Sequence, residues 1–172
     1  MCSTKQKIAS TMREMMGKKS FDRITVKDLM DATNMNRQSF YYHFRDTRDV
    51  LMWLCRENLF TSLINSDLDF SDWIVYALTL LDQDRVFYRQ VIAAAQMDFV
   101  RELGERAVFP RVRALLHGDL VQLDENQTFA AEFLSNAVVD YFLRFATCRD
   151  PLDAADRRRK IQYLIAQIKT GR

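Results

Sequence analysis

Arg37, Gln38, Ser39, Tyr41, Tyr42 and His43 fall within seven consecutive residues, RQSFYYH. A guanidinium can pair bidentately with guanine and a carboxamide with adenine. Hydroxyl, phenol and imidazole groups can serve phosphates or base edges. Phe40 and Phe44, interleaved at i, i+4 spacing, give the same short segment a side to bury. Thr25 and Arg48 stand where two neighbouring helices are expected to begin, and backbone N–H groups at a helix N-terminus suit phosphate. The expected DNA-contacting set is therefore Thr25, Arg37, Gln38, Ser39, Tyr41, Tyr42, His43 and Arg48, with Gln38 and Tyr42 foremost. Catalysis is harder to assemble. The chain has two histidines, His43 and His117, neither near a Cys or a carboxylate cluster of recognisable spacing, so no catalytic residue, metal site or cofactor is expected.

Presenting those side chains requires two short helices crossed over a tight turn. The sequence predicts a first helix over about Thr4–Met16, with Ile8, Met12 and Met15 on one face and Gly17 ending it. Thr25 is placed to cap a second helix, with Asp28 three residues on at its positive end, and Val26, Leu29 and Met30 face inward. In the turn Asn34-Met35-Asn36, Asn34 tolerates a left-handed backbone, Met35 packs inward and Asn36 caps the third helix. That helix runs from Arg37 to about His43, and Asp46 caps a fourth whose stripe is Val50, Leu51, Leu54 and Leu59.

Beyond about Asn65 the pattern changes to longer helices rich in aromatics. Ser71–Leu81 places Trp73, Tyr76, Ala77 and Leu80 on one face, and Val86–Ala95 carries Phe87, Val91 and Ala94 at helical spacing. Pro110 interrupts the next helix, and His117-Gly118 suggests a break. Thr128–Thr147 is apolar nearly all round, so it must be covered on two sides. Asp150-Pro151 is expected to start a last helix with the stripe Ile161, Leu164, Ile165 and Ile168. Two such adjacent helices can pair with their copies in a second subunit. Arg157-Arg158-Arg159-Lys160 reads as a solvated face of the last helix, with a second nucleic-acid patch the less favoured alternative.

Bulk properties agree. Across 172 residues there are only 4 Gly and 2 Pro, too few turn residues for a β-rich fold. The net charge of +2 hides a split, because residues 1–50 hold ten Lys or Arg against six acids while the rest holds fifteen against seventeen. A basic head on a mildly acidic body suits a DNA reader joined to a segment with another task. Cys2, Cys55 and Cys148 are too scattered for a disulfide framework or a zinc site. No apolar run approaches the roughly 18 residues of a membrane span, and MCSTKQKIAS lacks a signal-peptide core, so a cytoplasmic location is expected.

The order Ile24-Thr25-Val26, Leu29, Ala32, Arg37, Ser39-Phe40-Tyr41-Tyr42-His43-Phe44, then Val50-Leu51 resembles the DNA-binding domain of TetR-type transcriptional regulators. The resemblance covers residues 5–55 or so. Asn34 stands where that family usually has Gly, and Thr47 where many members have a Lys that contacts phosphate, a role the adjacent Arg48 could assume. The resemblance implies an all-α fold: a three-helix helix-turn-helix domain, residues 1–46, and a helical sensing and dimerisation domain, residues 47–172. It further implies a homodimer, here formed through the last two helices, on a palindromic double-stranded operator.

More faintly, Trp73, Leu80-Leu81 and Val86-Phe87-Tyr88-Arg89 resemble the subgroup of dihydroxyacetone kinase operon regulators, in which activation through a protein partner related to the kinase occurs. The expected function is a sequence-specific regulator, a repressor controlled by a small molecule. The alternative is an activator or adaptor controlled by a protein partner. Trp73, Tyr76, Phe87, Tyr88, Phe133 and Tyr141 are the expected lining of an effector pocket.

Overall fold

A computed structural model describes residues 3–118, 120–148 and 154–170, and every regular element among them is helical. None of these helices is long and apolar enough to cross a membrane. The chain forms two compact units, one comprising the residues up to Asn58 together with Asp84–Phe99, the other Leu59–Gln83 and the residues from Val100 onward.

In the first unit, α1 (Thr4–Met16) starts at a reciprocal cap, the Ser3 hydroxyl accepting from the Gln6 N–H and the Gln6 side chain accepting from the Ser3 N–H. It buries Ile8, Ala9, Met12 and Met16, whereas Met15 from the expected stripe is only half-buried. A single 3₁₀ turn, Phe21–Arg23, leads into α2 (Val26–Thr33), followed by α3 (Arg37–His43) and α4 (Thr47–Cys55). Ile8, Met12, Leu29, Phe40, Val50 and Leu51 are wholly buried and form the core of this unit.

The compact unit continues well past residue 46, the boundary expected from the motif. The physical reason is α4, whose Val50, Leu51, Met52, Leu54 and Cys55 are buried, so this helix is part of the head's packing.

The first part of α7 (Arg85–Glu102) also belongs to this unit, through Phe99. Its Gln90 side chain accepts from the Phe21 N–H at 2.8 Å and donates to the Met16 carbonyl at 2.8 Å. Two backbone groups at the α1–α2 connection, which no helix ladder would satisfy, are thereby paired. Arg13 forms an ion pair with Asp84, and its guanidinium lies 5.3 Å from the Phe87 ring centre. At Ala95 the backbone leaves helical geometry (φ −138°, ψ 33°), which kinks α7.

The second unit contains α5 (Thr61–Ile64), α6 (Phe70–Gln83), π-helical turns over Leu103–Val108, α8 (Phe109–His117), α9 (Glu125–Thr147) and α10 (Ala154–Thr170). Pro110 sits in the first turn of α8, next to the point where the π-helical turns give way to α-helix at Phe109, as the expected interruption there requires. His117-Gly118 does end it, with Gly118 at φ 60°. α9 starts earlier than expected because Asp124 and Gln127 form a reciprocal cap. The expected Asp150-Pro151 start lies outside the described residues.

Trp73 anchors this unit's core. It is fully buried, its indole N–H donates to the Leu63 carbonyl at 3.0 Å, and its ring meets Phe70 and Phe142. The buried stripe of α6 is Trp73, Ile74, Ala77, Leu78 and Leu81, one step round from the expected one, which leaves Tyr76 and Leu80 half-buried.

The α2–α3 turn carries one backbone strain. Asn34 has φ 53° and ψ 45°, a left-handed conformation that costs an ordinary L-residue roughly 1–2 kcal/mol. Asn34→Ala is therefore expected to lower unfolding free energy by about 1 kcal/mol, and Asn34→Gly to leave it within about 0.5 kcal/mol of the parent. Urea denaturation followed by circular dichroism measures both. Equal midpoints for all three proteins would refute the strain.

Candidate nucleic-acid interface

The interface is built from its caps upward. The Thr25 hydroxyl accepts from the Asp28 N–H at 3.1 Å, while Asp28 accepts from the Thr25 N–H at 2.9 Å and from the Lys19 ammonium at 3.0 Å. These bonds, the Thr25 N–H first and Lys19 next, hold the Asp28 carboxyl down at about 2. The Thr25 hydroxyl is thus engaged in the cap, both with the Asp28 N–H and with the Asp28 carboxylate.

Asn36 caps α3, accepting from the Ser39 N–H at 2.8 Å and from the Ser39 hydroxyl at 3.0 Å. Phosphate oxygens only accept, so a Ser39 hydroxyl in this orientation has no proton to give them. Its place is in the cap.

Arg37, Gln38, Tyr41 and Tyr42 share the exposed side of α3, and Phe40, fully buried, holds the other. Tyr42 is 85% exposed and Tyr41 57%, the latter packed edge-on against Phe40 with ring centres 5.3 Å apart. His43, half-buried in the last turn, lies edge-on to Tyr42 at 4.9 Å. Phe44 is buried as expected, and Met35 is half-buried. Arg48 is exposed in the first turn of α4, which Asp46 caps by accepting from the Asp49 N–H at 2.8 Å.

Thr4 and Lys5 were not marked by sequence reasoning. Thr4 joins Asn36, Gln38, Ser39, Tyr42 and His43 around one open hollow of about 330 Å³, which brings the start of α1 beside α3. The Lys5 ammonium lies 5.4 Å from the Phe44 ring centre and 5.3 Å from that of Trp53. A Ser-x-x-Gln cap was legible at Ser3, but its neighbours in space were not.

The expected effector aromatics are not gathered. Phe87 and Tyr88 are buried in the first unit, and burial pushes the Tyr88 phenol well above its usual range, so it stays protonated. Trp73 is core in the second unit, and Phe133 is exposed. A groove of about 390 Å³ does exist in the second unit between α6, α9 and α10, and of the six only Tyr141 lines it. Most of its lining is apolar and comes from residues such as Phe70, Ile74, Leu134, Val138 and Ile165. Of the basic run, Arg158, Arg159 and Lys160 are exposed, as expected, and Arg157 is half-buried. Arg158 pairs with Asp72 at 2.7 Å and Arg159 with Asp156, while Arg157 and Lys160 line this groove.

Capped short helices over a left-handed turn, ahead of an all-helical second unit, define a helix-turn-helix protein with a helical body. Residues 8–52 match the family described as bacterial regulatory proteins, tetR family. A curated relative, the HTH-type dhaKLM operon transcriptional activator DhaS of Lactococcus lactis subsp. lactis (strain IL1403), is 31% identical over 91 residues. That match takes in 51% of this chain and spans about half (48%) of the relative.

The fold is shared with a solved dihydroxyacetone kinase operon activator DhaS, at TM-score 0.69 and 22% identity over 97% of both chains. It is also shared with a TetR transcriptional regulator from Streptococcus agalactiae 2603V, at TM-score 0.65 and 22% identity over 96% of this chain and 93% of that one. Residues 8–52 thus carry a tetR-family DNA-binding domain, and the fold is shared with the two solved structures.

The Asp28 cap gives the head a pH dependence of known sign. Its folded pKa lies below the unfolded value of about 4, so its contribution is complete above pH ~4 and is lost as pH falls toward about 2. Asp28→Asn should flatten the stability profile across that window. Parallel profiles for parent and variant, by thermal melting at each pH, would contradict the assignment.

Proposed function

We propose that this protein is a sequence-specific transcription regulator that binds a palindromic operator as a homodimer. The observation that carries this reading is the outward set Arg37, Gln38, Tyr41 and Tyr42 on a helix fixed at its start by Asn36 and along its length by Phe40. Arg37 and Gln38 supply groups for base edges in the major groove, and the tyrosines and Arg48 supply donors for the flanking phosphates, while Thr25 acts through its cap. His43 stands at the rim of this surface, and Ser39 acts through its cap.

Dimerisation through α9 and α10 is supported by apolar surface exposed on both. On α9, Phe129 and Phe133 are exposed and stacked with ring centres 6.0 Å apart. Tyr163 and Leu164 on α10 are likewise exposed. A two-fold pairing of this surface would present two copies of α3, to be matched to half-sites about one turn, ~34–36 Å, apart.

Repression follows if the dimer occupies a promoter and an effector in the helical body releases it. One observation favours the opposite output. The Lactococcus relative is by its description an operon activator, so a protein-partner-controlled activator is the second reading. A reporter driven by the bound promoter separates the two, rising on deletion of the regulator under repression and falling under activation.

Binding to a footprinted operator should weaken steeply between 50 and 200 mM salt, on the order of 10³-fold for six or more phosphate contacts. Arg37→Ala should abolish specific binding while leaving the circular dichroism melt unchanged, since Arg37 is exposed. An Arg37→Ala protein that binds the operator as tightly as the parent would overturn the reading of α3.

A further inference from the structure

The carboxamide of Gln90, on α7, bridges two backbone groups of the α1–α2 connection. Its oxygen accepts from the Phe21 N–H and its nitrogen donates to the Met16 carbonyl, both at 2.8 Å. A planar group that meets a donor and an acceptor at once fixes the rotation of the segment as well as its distance. Gln90 is itself held. Phe87, Tyr88, Val91 and Ile92 around it on α7 are buried in the same unit, and Asp84, just before α7, pairs with Arg13 of α1.

The connection has no slack between this clamp and the start of α2. The Lys18 and Lys19 N–H groups both donate to the Met15 carbonyl at 2.9 Å, and the 3₁₀ turn Phe21–Arg23 ends at Ile24, which is buried. Thr25 follows directly as the α2 cap. The Lys19 ammonium reaches Asp28, the other half of that cap, at 3.0 Å. The segment from Met16 to Asp28 is thus tied into one piece, and α7 sets where that piece lies. α3 is placed by other groups, Asn36 at its start and Phe40 in the core.

In a helix-turn-helix the second helix enters the major groove while the first crosses the phosphate backbone. Here those helices are α3 and α2, and the first turn of α2 carries the exposed Lys27. We propose that Gln90 is a positioning residue for operator binding, holding the start of α2 and its Lys27 at the phosphates while α3 reads the bases. The proposal rests on the DNA-binding reading above. A residue that served packing alone would weaken the head as a whole, whereas one that places α2 acts on phosphate contacts and spares base contacts.

The test compares the full chain with Gln90→Met, similar in length but unable to form either bond, on the footprinted operator. Both are studied at a temperature where circular dichroism shows them folded. Gln90→Met is expected to weaken operator affinity about tenfold and to reduce the salt slope by about one, the share of one phosphate contact. Phosphates assigned to α2 are those whose ethylation no longer interferes with binding of Lys27→Ala. Gln90→Met should lose interference at the same phosphates, while methylation of guanine N7 interferes as it does for the parent. Gln90→Glu keeps the acceptor for Phe21 and loses the donor to Met16. It should show the same selective pattern with a smaller loss, and it serves if Gln90→Met does not fold.

A Gln90→Met protein that melts lower but binds with the parent's affinity would overturn the proposal. So would one whose phosphate and guanine interference weaken together, or a Lys27→Ala protein with the parent's pattern. In each of these outcomes the parent still binds, and the DNA-binding reading stands. A parent that binds no DNA overturns that reading and this proposal with it.

Discussion

α3 has seven residues, and a helix of that length does not persist in water without tertiary support. Its existence and its orientation are therefore set by the groups around it. Asn36 satisfies the Ser39 N–H at one end, and Phe40 and Phe44 are taken into the core along the opposite side. Successive side chains on a helix are about 100° apart, so fixing Phe40 also fixes the directions of Arg37, Gln38, Tyr41 and Tyr42. The left-handed backbone at Asn34 sets where this begins. A single rotation of α3 about its axis would exchange tyrosine for phenylalanine at the surface. The burial of one phenylalanine thus underlies the whole reading end.

Much of this was legible in the chain because capping is local. A side-chain oxygen at the cap reaches an N–H three residues on, so Thr25 with Asp28, Asn36 with Ser39 and Asp46 with Asp49 are pairs that sequence can display. The same rule applied at Asp124 and Gln127 would have placed the start of α9 correctly. Ser39 was assigned outward because its type suits phosphate, while its nearer partner was the cap. The all-α class followed from periodicity, which depends only on the helix repeat.

Partners distant in sequence were not legible. Gln90 closes the α1–α2 connection from residues far along the chain, and nothing in its own neighbourhood marks it. The aromatic set failed for the same reason. Helical spacing shows that Trp73, Phe87 and Tyr88 are inward, but not what they meet. Trp73 found the Leu63 carbonyl, and the other two found the core of the first unit. The basic run shows how geometry can divide consecutive residues. Four residues on a helix sweep nearly a full turn, so they cannot share one face, and Arg157 and Lys160 line the groove while Arg158 and Arg159 meet acids.

Likeness to known proteins divides along the same line. Residues 8–52 match the family, and the 31% identity to the Lactococcus relative runs over 91 residues, whereas the fold of nearly the whole chain is retained at 22% identity. A helical body is specified by apolar pattern and volume, and many sequences satisfy both. Its polar lining groups are under no such constraint and can differ between proteins of one fold. The head is specified by caps and a left-handed turn that few sequences supply, and the body by a pattern that many sequences supply.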